Sequence, residues 1–553
     1  MSVSDGEAIV RGAFARARID VASLEIKDYP DGTVFVVYVA PEFLQTAIPL
    51  GNRLDEQLST VSPGGFVAVR VSPGSSKRRL PAARLGVRDP RATDLVQLVS
   101  ERSRASLAQP SLSYVSDIRS SLAAATAPRH HLIFGRRGAG KTALMLEAKR
   151  SAESFGSGTI WMILQTYRGQ SAARVFVYYV REVADLIASD ASRRVAESTV
   201  SVAATGVLAT AEAIITQAGE PDQAALARLV PEVQRLLRRY TEETSRRIFM
   251  FFDDFYFVSR AEQPQLLDMI HASVRDVDAW LKVATIKHLT RWFQSTPPVG
   301  LQTGHDAEMI DIDVPLQNPS QAKEFLESVL VRYASQSGLG SLSSVLSPGA
   351  LDRLVLASGA VPRDYLVLCA GAIRRAQART KARQVGAQDV NQEAGEIAKV
   401  KIHELEEDLA TDKGTSAIAL HALQIVRSYC LDDKRFSYFR VDLRDKDRKA
   451  EEYNALVSLM DLRLVHLLDP GVSSAHVAGE MSEVFMLDLS QFSGFRLRQN
   501  LRVLDLERGV FVAKQTGGGE APQPGRTARA LTTIYRGGPL LPLSMLESAG
   551  IAL

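Results

Sequence analysis

The sequence predicts an α/β protein built on a parallel sheet, followed by a helical segment and a smaller helix-and-strand segment, with a small α/β module in front. Three observations carry this expectation. Apolar runs of strand length alternate with helical periodicity from about Ser111 to Leu316, as in a parallel sheet covered on both faces. The stretch Gly135-Arg136-Arg137-Gly138-Ala139-Gly140-Lys141-Thr142 fits G-x-x-x-x-G-K-[ST] at each fixed position, between the apolar strand Leu132-Ile133-Phe134 and the helix-forming run Ala143-Leu144-Met145-Leu146. Finally, Arg247-Ile248-Phe249-Met250-Phe251-Phe252 reads as a strand buried on both faces, and its carboxyl end delivers Asp253 and Asp254.

The chemistry of the first motif explains its residue types. Glycines let backbone N–H groups turn inward on phosphates, and the positive end of the following helix adds to that field. Residues Gly135 through Ala143 are therefore the candidate nucleotide contacts. Lys141 is expected to reach the β- and γ-phosphates, and the Thr142 hydroxyl to hold Mg²⁺. Asp253 is expected in the Mg²⁺ shell, and Asp254 is the candidate to polarise the attacking water.

Composition bounds the remaining chain. At 553 residues it is too long for one core and suggests about three or four domains. With 46% hydrophobic and 23% charged residues it reads as an ordinary globular protein, and a net charge of +3 selects no partner. Cys369 and Cys430 lie in apolar helical contexts, which supports neither a disulfide framework nor a zinc site and points to a reducing cytoplasm. No signal core opens the sequence, and no uncharged apolar run is long enough for a bilayer, so no membrane partner is expected. The most apolar long segment, Val200 to Gln217, reads as a packed helix.

In order, residues 1–71 read as a separate α/β module, expected to meet a protein partner or to oligomerise. Residues 72–110 read as a basic linker, either a solvated tether or an arm on a phosphate backbone; Lys77, Arg78, Arg79, Arg84, Arg88 and Arg91 supply its charge. Residues 111–316 form the predicted phosphate-loop core and 317–411 an all-helical lid. Within 412–500 the order is helix, strand, helix and hairpin, and 501–553 read as a partly disordered tail with Gly517-Gly518-Gly519.

The G-R-R-G-A-G-K-T loop, the I-F-M-F-F-D-D strand and the later helical segments resemble the AAA+ and signal-transducing (STAND) branch of P-loop ATPases, especially its origin-recognition, initiator-like clade. The resemblance covers about Ser111 to Phe492. It implies ATP and Mg²⁺ as ligands, slow hydrolysis and a homo-oligomer. The polar sensor strand of that family matches Leu281 to Lys287, making Thr285 the sensor candidate and Lys287 the alternate. The lid turn matches Ser358-Gly359-Ala360-Val361-Pro362-Arg363, with Pro362 near the base or ribose and Arg363 as second sensor. Two departures stand out. Asp254 replaces the glutamate common in AAA+ ATPases, as in the signal-transducing relatives. The only arginine between Lys287 and Asp311 is Arg291, an early position for a finger reaching a neighbouring subunit.

The 412–500 segment resembles the winged helix of the initiator clade. Lys434, Arg435, Arg440, Arg444, Lys446, Arg448 and Lys449 would lie on duplex DNA phosphates, but Asp442, Asp445 and Asp447 dilute the patch. The expected function is a nucleotide-dependent oligomeric switch on duplex DNA; the alternative is a STAND-type signalling ATPase with a protein-facing module, whose closure exposes the N-terminal module to a protein partner.

Overall fold

A computed structural model of the chain describes residues 3–17, 19–29, 32–40, 43–61, 65–71, 86–103, 115, 121–194, 199–287, 289–314, 316–409, 413–474, 479–494, 497–517, 523–525 and 527–547. Lys77, Arg78, Arg79, Arg84, the 475–478 loop, and Gly518 and Gly519 lie outside these residues, as does the side chain of Asp447. The chain divides into two compact units, Met1–Leu85 and Gly86–Leu553.

In the first unit, α1 (Val3–Arg16) precedes β1 (Val21–Tyr29) and β2 (Gly32–Val39), and α2 (Leu44–Val61) precedes β3 (Phe66–Val71). β1 and β2 pair antiparallel, and β3 joins β2 in parallel. The helices supply Val10, Phe14, Leu54 and Leu58 to a core completed by Phe35, Val37, Val39 and Val67.

The second unit opens with a helix where composition reads as linker: α3 (Pro90–Arg102). Asp89 caps it through the Arg91 N–H and Pro90 occupies its first turn, a start signal that the basic composition of the surrounding stretch masks. Leu95, Val96 and Val99 are buried with the later lid helices. After α4 (Ser121–Thr126) come β4 (His131–Phe134), α5 (Lys141–Ser154), β5 (Gly158–Ile163), α6 (Ala172–Arg194), α7 (Thr199–Thr216), α8 (Gln223–Thr244), β6 (Ile248–Asp253), α9 (Gln263–Val274) and β7 (Ala279–Thr285). A small hairpin, β8 (Phe293–Ser295) and β9 (Pro298–Gly300), leads to β10 (Glu308–Asp311). The five long-range strands make one all-parallel sheet in the order β10-β4-β7-β6-β5.

Alternation within the buried strands builds both layers. In β6, Phe249 and Phe251 face Leu144, Met145 and Ala148 of α5, whereas Ile248, Met250 and Phe252 join the core under α6, α8 and α9. The strand order reverses beside β4, so loops after β4, β6 and β7 converge at the carboxyl edge, where open α/β sheets hold ligands. The expected strand Asp311 to Leu316 lies earlier: β10 ends at Asp311 because the chain then turns Asp313 back onto the loop after β4. Helix α7 also departs from expectation. Only Val200, Ala204 and Ala211 of it are buried, against α6, and among the described residues it alone is long and apolar enough to cross a membrane.

The lid consists of α10 (Pro319–Gln336), α11 (Pro348–Ala357), α12 (Pro362–Ala378) and α13 (Ala387–Leu409). Next come α14 (Lys413–Arg427), β11 (Tyr438–Asp442), α15 (Leu443–Arg448), α16 (Ala450–Asp461), β12 (Val465–Ser473) and β13 (Met481–Leu487), the strands forming a sheet in the order β11-β13-β12. The region read as tail holds the hairpin β14 (Arg502–Glu507) and β15 (Val510–Gln515), a short β16 (Gln523–Pro524) and α17 (Ala528–Arg536). Lid, C-terminal sheet and this hairpin share one continuous apolar core. Lid residue Asp352 accepts the Arg508 and Gly509 N–H groups at the hairpin turn (2.8 and 3.1 Å), and Arg353 pairs with Asp505 at 2.9 Å. Cys369 and Cys430 are free, buried thiols, and burial pushes the Cys369 pKa up to about 12.

Candidate nucleotide site

The loop between β4 and α5 folds as a cradle because its residues cannot continue either element. Gly138 has φ of +85°, a backbone region open to glycine, and a Cβ there would press on Arg363 and Val361 of the lid. Lys141 begins α5 and is buried, its Nζ donating to the Gly135 carbonyl at 2.6 Å and to that of Arg136 at 3.2 Å. Burial lowers its pKa, while Asp313, Asp253 and Asp254 push the other way, so three carboxylates surround one ammonium.

The acid strand meets this cradle directly. Thr142 Oγ1 donates to Asp253 Oδ2 at 2.7 Å, and Asp253 Oδ1 accepts the Asp254 N–H at 3.0 Å. Asp253 is 4% exposed, and burial followed by the Asp254 charge raises its pKa to about 6 despite Thr142 and Lys141. Asp254 itself has left-handed backbone geometry with φ of 54° and is only partly buried. Two residues later Tyr256 approaches Asp254, and the Arg137 guanidinium lies 5.7 Å from its ring centre.

The remaining sequence candidates divide. Thr285 ends β7, in register with Phe134 at the start of the loop, yet its hydroxyl pairs with that of Thr290 at 2.5 Å. Lys287 is exposed. Arg291 is exposed as well, and its main-chain N–H is held by Gln263 at 2.7 Å. Pro362 is the first residue of α12, and the Arg363 N–H donates to the Gly138 carbonyl at 3.3 Å, bringing the lid turn onto the cradle. Arg136 ties the same turn from its other end: Nη2 donates to Gly359 O at 3.2 Å, while Nε and the main-chain N–H bond Asp313.

Sequence reasoning missed several members. Asp313 was read only as part of a strand; the alternation Asp311-Ile312-Asp313 hides that it faces the loop. Arg463 and His466 were not singled out. Arg463 Nη1 donates to Asp364 of α12 at 2.5 Å, and the His466 ring leaves no room for a Cβ at Gly359. His466 also pairs with the buried Asp488 at 2.8 Å. Thus the lid turn contacts the phosphate loop on one side and the C-terminal sheet on the other.

The donors fit a nucleotide triphosphate with a divalent cation. A hydroxyl and a carboxylate already 2.7 Å apart form an oxygen set suited to Mg²⁺, and the raised Asp253 pKa marks a buried acid that a cation would relieve. The buried ammonium and inward loop suit phosphate oxygens.

No family model matches this chain, and no curated protein matches it. Among solved structures it is similar to the Walker-type ATPase PABY2304 of Pyrococcus abyssi, with 13% identity over 71% of this chain and 98% of that one, at a TM-score of 0.40. It is similar also to the ORC1 protein of Aeropyrum pernix, solved in complex with DNA, with 17% identity over 74% and 92% of the two chains and a TM-score of 0.32. A variant of Thermotoga maritima RuvB follows at 14% identity, 51% and 68% coverage, and a TM-score of 0.25.

The basic residues of the C-terminal sheet are largely engaged within the chain. Arg444 pairs with Asp442 at 3.1 Å and also with Glu480; Lys446 pairs with Glu483 at 2.9 Å and Lys449 with Glu547 at 2.7 Å. Arg440 Nε donates to Gly538 O at 2.8 Å. Lys434, Arg435 and Arg448 are exposed.

Proposed function

We propose that this protein binds ATP with Mg²⁺ and hydrolyses it slowly, using the cycle as a conformational switch in a homo-oligomer. The observation that carries the reading is the Thr142–Asp253 contact beside buried Lys141, where loop and acid strand meet as a cation and phosphate site requires. Lys141 binds the β- and γ-phosphates. Thr142 and Asp253 hold Mg²⁺, which when bound neutralises charge on the phosphate oxygens. Asp254 orients the attacking water and receives its proton. Thr285 and Arg363 are the proposed sensors, Thr285 after release from Thr290; Arg291 is the proposed contact to a neighbouring subunit. Because Arg363 and Gly359 already touch the cradle, filling it shifts the lid turn, and Asp364–Arg463 passes that shift to the C-terminal sheet.

The output we favour is a signalling switch of the STAND type, in which closure presents the N-terminal module to a protein partner. The specific support is that Arg440, Arg444, Lys446 and Lys449 are spent on partners in the same chain, which weakens a phosphate-facing patch. The second reading is an initiator-type switch on duplex DNA through a winged helix, resting on the exposed Lys434, Arg435 and Arg448. One titration tests both. ATP binding by the wild type and its loss in Lys141→Ala support the ATPase reading, and equal binding by both sinks it. ATP-dependent duplex binding that falls steeply with salt and weakens in Arg448→Ala favours DNA; negligible duplex binding at low salt, with an ATP-dependent change of oligomer, favours the signalling switch.

A further inference from the structure

Gln263, the first residue of α9, is fully buried, and its carboxamide bonds main-chain groups of the two turns that follow the adjacent strands β6 and β7. Nε2 donates to the Val258 carbonyl at 2.9 Å and to the Leu289 carbonyl at 3.2 Å, while Oε1 accepts the Arg291 N–H at 2.7 Å. A flipped amide would set its oxygen against two carbonyls and its NH₂ against an N–H, so all three bonds need a carboxamide in this one orientation. On the β6 side, Val258 closes a tight turn that starts at Asp254: the Phe257 N–H donates to the Asp254 carbonyl and the Val258 N–H to that of Phe255, both at 3.1 Å. On the β7 side, the Leu289 carbonyl and the Arg291 N–H stand on either side of Thr290, whose hydroxyl donates to Ile286 O at 2.7 Å and pairs with that of Thr285. One side chain therefore joins the turn of Asp254 to the segment that holds Thr285 and leads to Arg291.

We propose that Gln263 is a positioning residue for hydrolysis, tying these two turns so that Asp254 and the Thr285–Thr290 pair shift as one body when nucleotide binds or leaves. This rests on the ATP reading above. Asp254 holds a left-handed backbone at φ of 54° and opens a short turn, so the placement of its carboxylate depends on what anchors Val258. That anchor comes from a helix whose Leu266, Leu267, Ile270 and Val274 are packed in the core, a rigid support for a loop residue. The same amide brackets Thr290, so a γ-phosphate that draws Thr285 from Thr290 is felt through Gln263 at the turn of Asp254. Lys141, Thr142 and Asp253 are held by other partners, so the amide acts on turnover and not on ATP affinity.

The full chain tests this with fluorescent ATP titration and single-turnover phosphate release. Gln263→Met removes both donors and the carbonyl oxygen, and Gln263→Glu keeps an oxygen for Arg291 but no longer offers two donors. Both are expected to hold ATP affinity within about 3-fold and to lower the rate about 10-fold. In an Asp254→Asn background, Gln263→Met is expected to cost less than about 2-fold more, because the amide acts through that acid. Gln234→Met takes an amide from the Arg275 carbonyl at the other end of α9 and is the structural control, expected to leave the rate unchanged. A rate within about 2-fold of wild type in both Gln263 variants, a loss of ATP affinity matching the loss of rate, equal losses in the two backgrounds, or the same loss in the control overturns the assignment. Amide hydrogen exchange gives a measure that needs neither variants nor turnover. A non-hydrolysable ATP analogue is expected to change exchange in residues 255–260 and 286–292 of the wild type together, and a response confined to one segment overturns the proposal even if no variant folds. Failure of the wild type to bind ATP sinks the nucleotide reading itself; binding followed by any of the adverse outcomes sinks the role of Gln263 alone.

Discussion

Two buried lysines, one inside the parallel sheet and one at the start of α5, have opposite consequences. Lys282, in the middle of β7, is fully buried, and its Nζ donates to the carbonyls of Ala127 and Arg129 at 2.7 and 2.9 Å and bonds His131 Nδ1 at 2.8 Å. Burial lowers its pKa to about 7, and burial first, then Lys282, lower that of His131 to about 3. Every donor it owns has a partner, and those partners pin the segment between α4 and β4. Lys141 also bonds two carbonyls, but it lies under an inward loop and among three carboxylates. An ammonium with saturated donors holds a fold together; one facing surplus acids and a cradle is placed for a ligand.

The comparison breaks most decisively at Lys141. Lys141→Ala is expected to weaken ATP binding at least about 10²-fold while leaving the thermal transition in place, as checked by fluorescent-nucleotide titration and calorimetry. Affinity unchanged in that variant would make the two lysines equivalent. Next in size, Asp254→Asn is expected to keep ATP affinity but lower kcat about 10²-fold, measured by phosphate release; full turnover would move the base elsewhere. Lys282→Met should do the reverse. Its two carbonyls and His131 lose a donor, so stability falls by about 1–3 kcal/mol with nucleotide affinity unchanged, and a nucleotide-binding defect without a stability loss would refute the division.

The smallest effect sharpens the picture by its sign. Asp253 has its folded pKa raised from 3.8 to about 6, so the native state binds a proton more readily than the unfolded chain. Its contribution to stability is present below pH about 4 and is lost as pH rises through about 6. Asp253→Asn, which removes that charge, is therefore expected to raise the nucleotide-free stability at pH 7 by about 1–2 kcal/mol while abolishing Mg²⁺-dependent hydrolysis. A melting temperature that falls, or a stability gain equal at pH 4 and pH 7, would show that Asp253 carries no such strain.

The phosphate-loop core was legible because its signals are local. Glycine spacing, a lysine-threonine pair and an apolar strand ending in acids each report on a few consecutive residues, and β4 to β7 read as short apolar runs. What escaped depends on chain returns. Asp313 works by folding back onto Arg136, and Arg463 by meeting Asp364 across 99 positions, neither of which leaves a periodic trace. Lys282 interrupts an apolar strand without any local sign of its role, since its acceptors come from the preceding part of the chain. The C-terminal hairpin was obscured by its glycine-rich flank, although Val503 and Leu504 are buried in the lid core.

That hairpin alters what a nick or early stop near residue 500 would do. Such damage would uncover apolar lid side chains and strip Asp352 of the two amide donors at its turn, leaving Lys323 as its remaining partner among the described residues. The injury would register in the lid helices α10 and α11. The hairpin is in this sense a keystone set from below, and whatever removes it also loosens the lid.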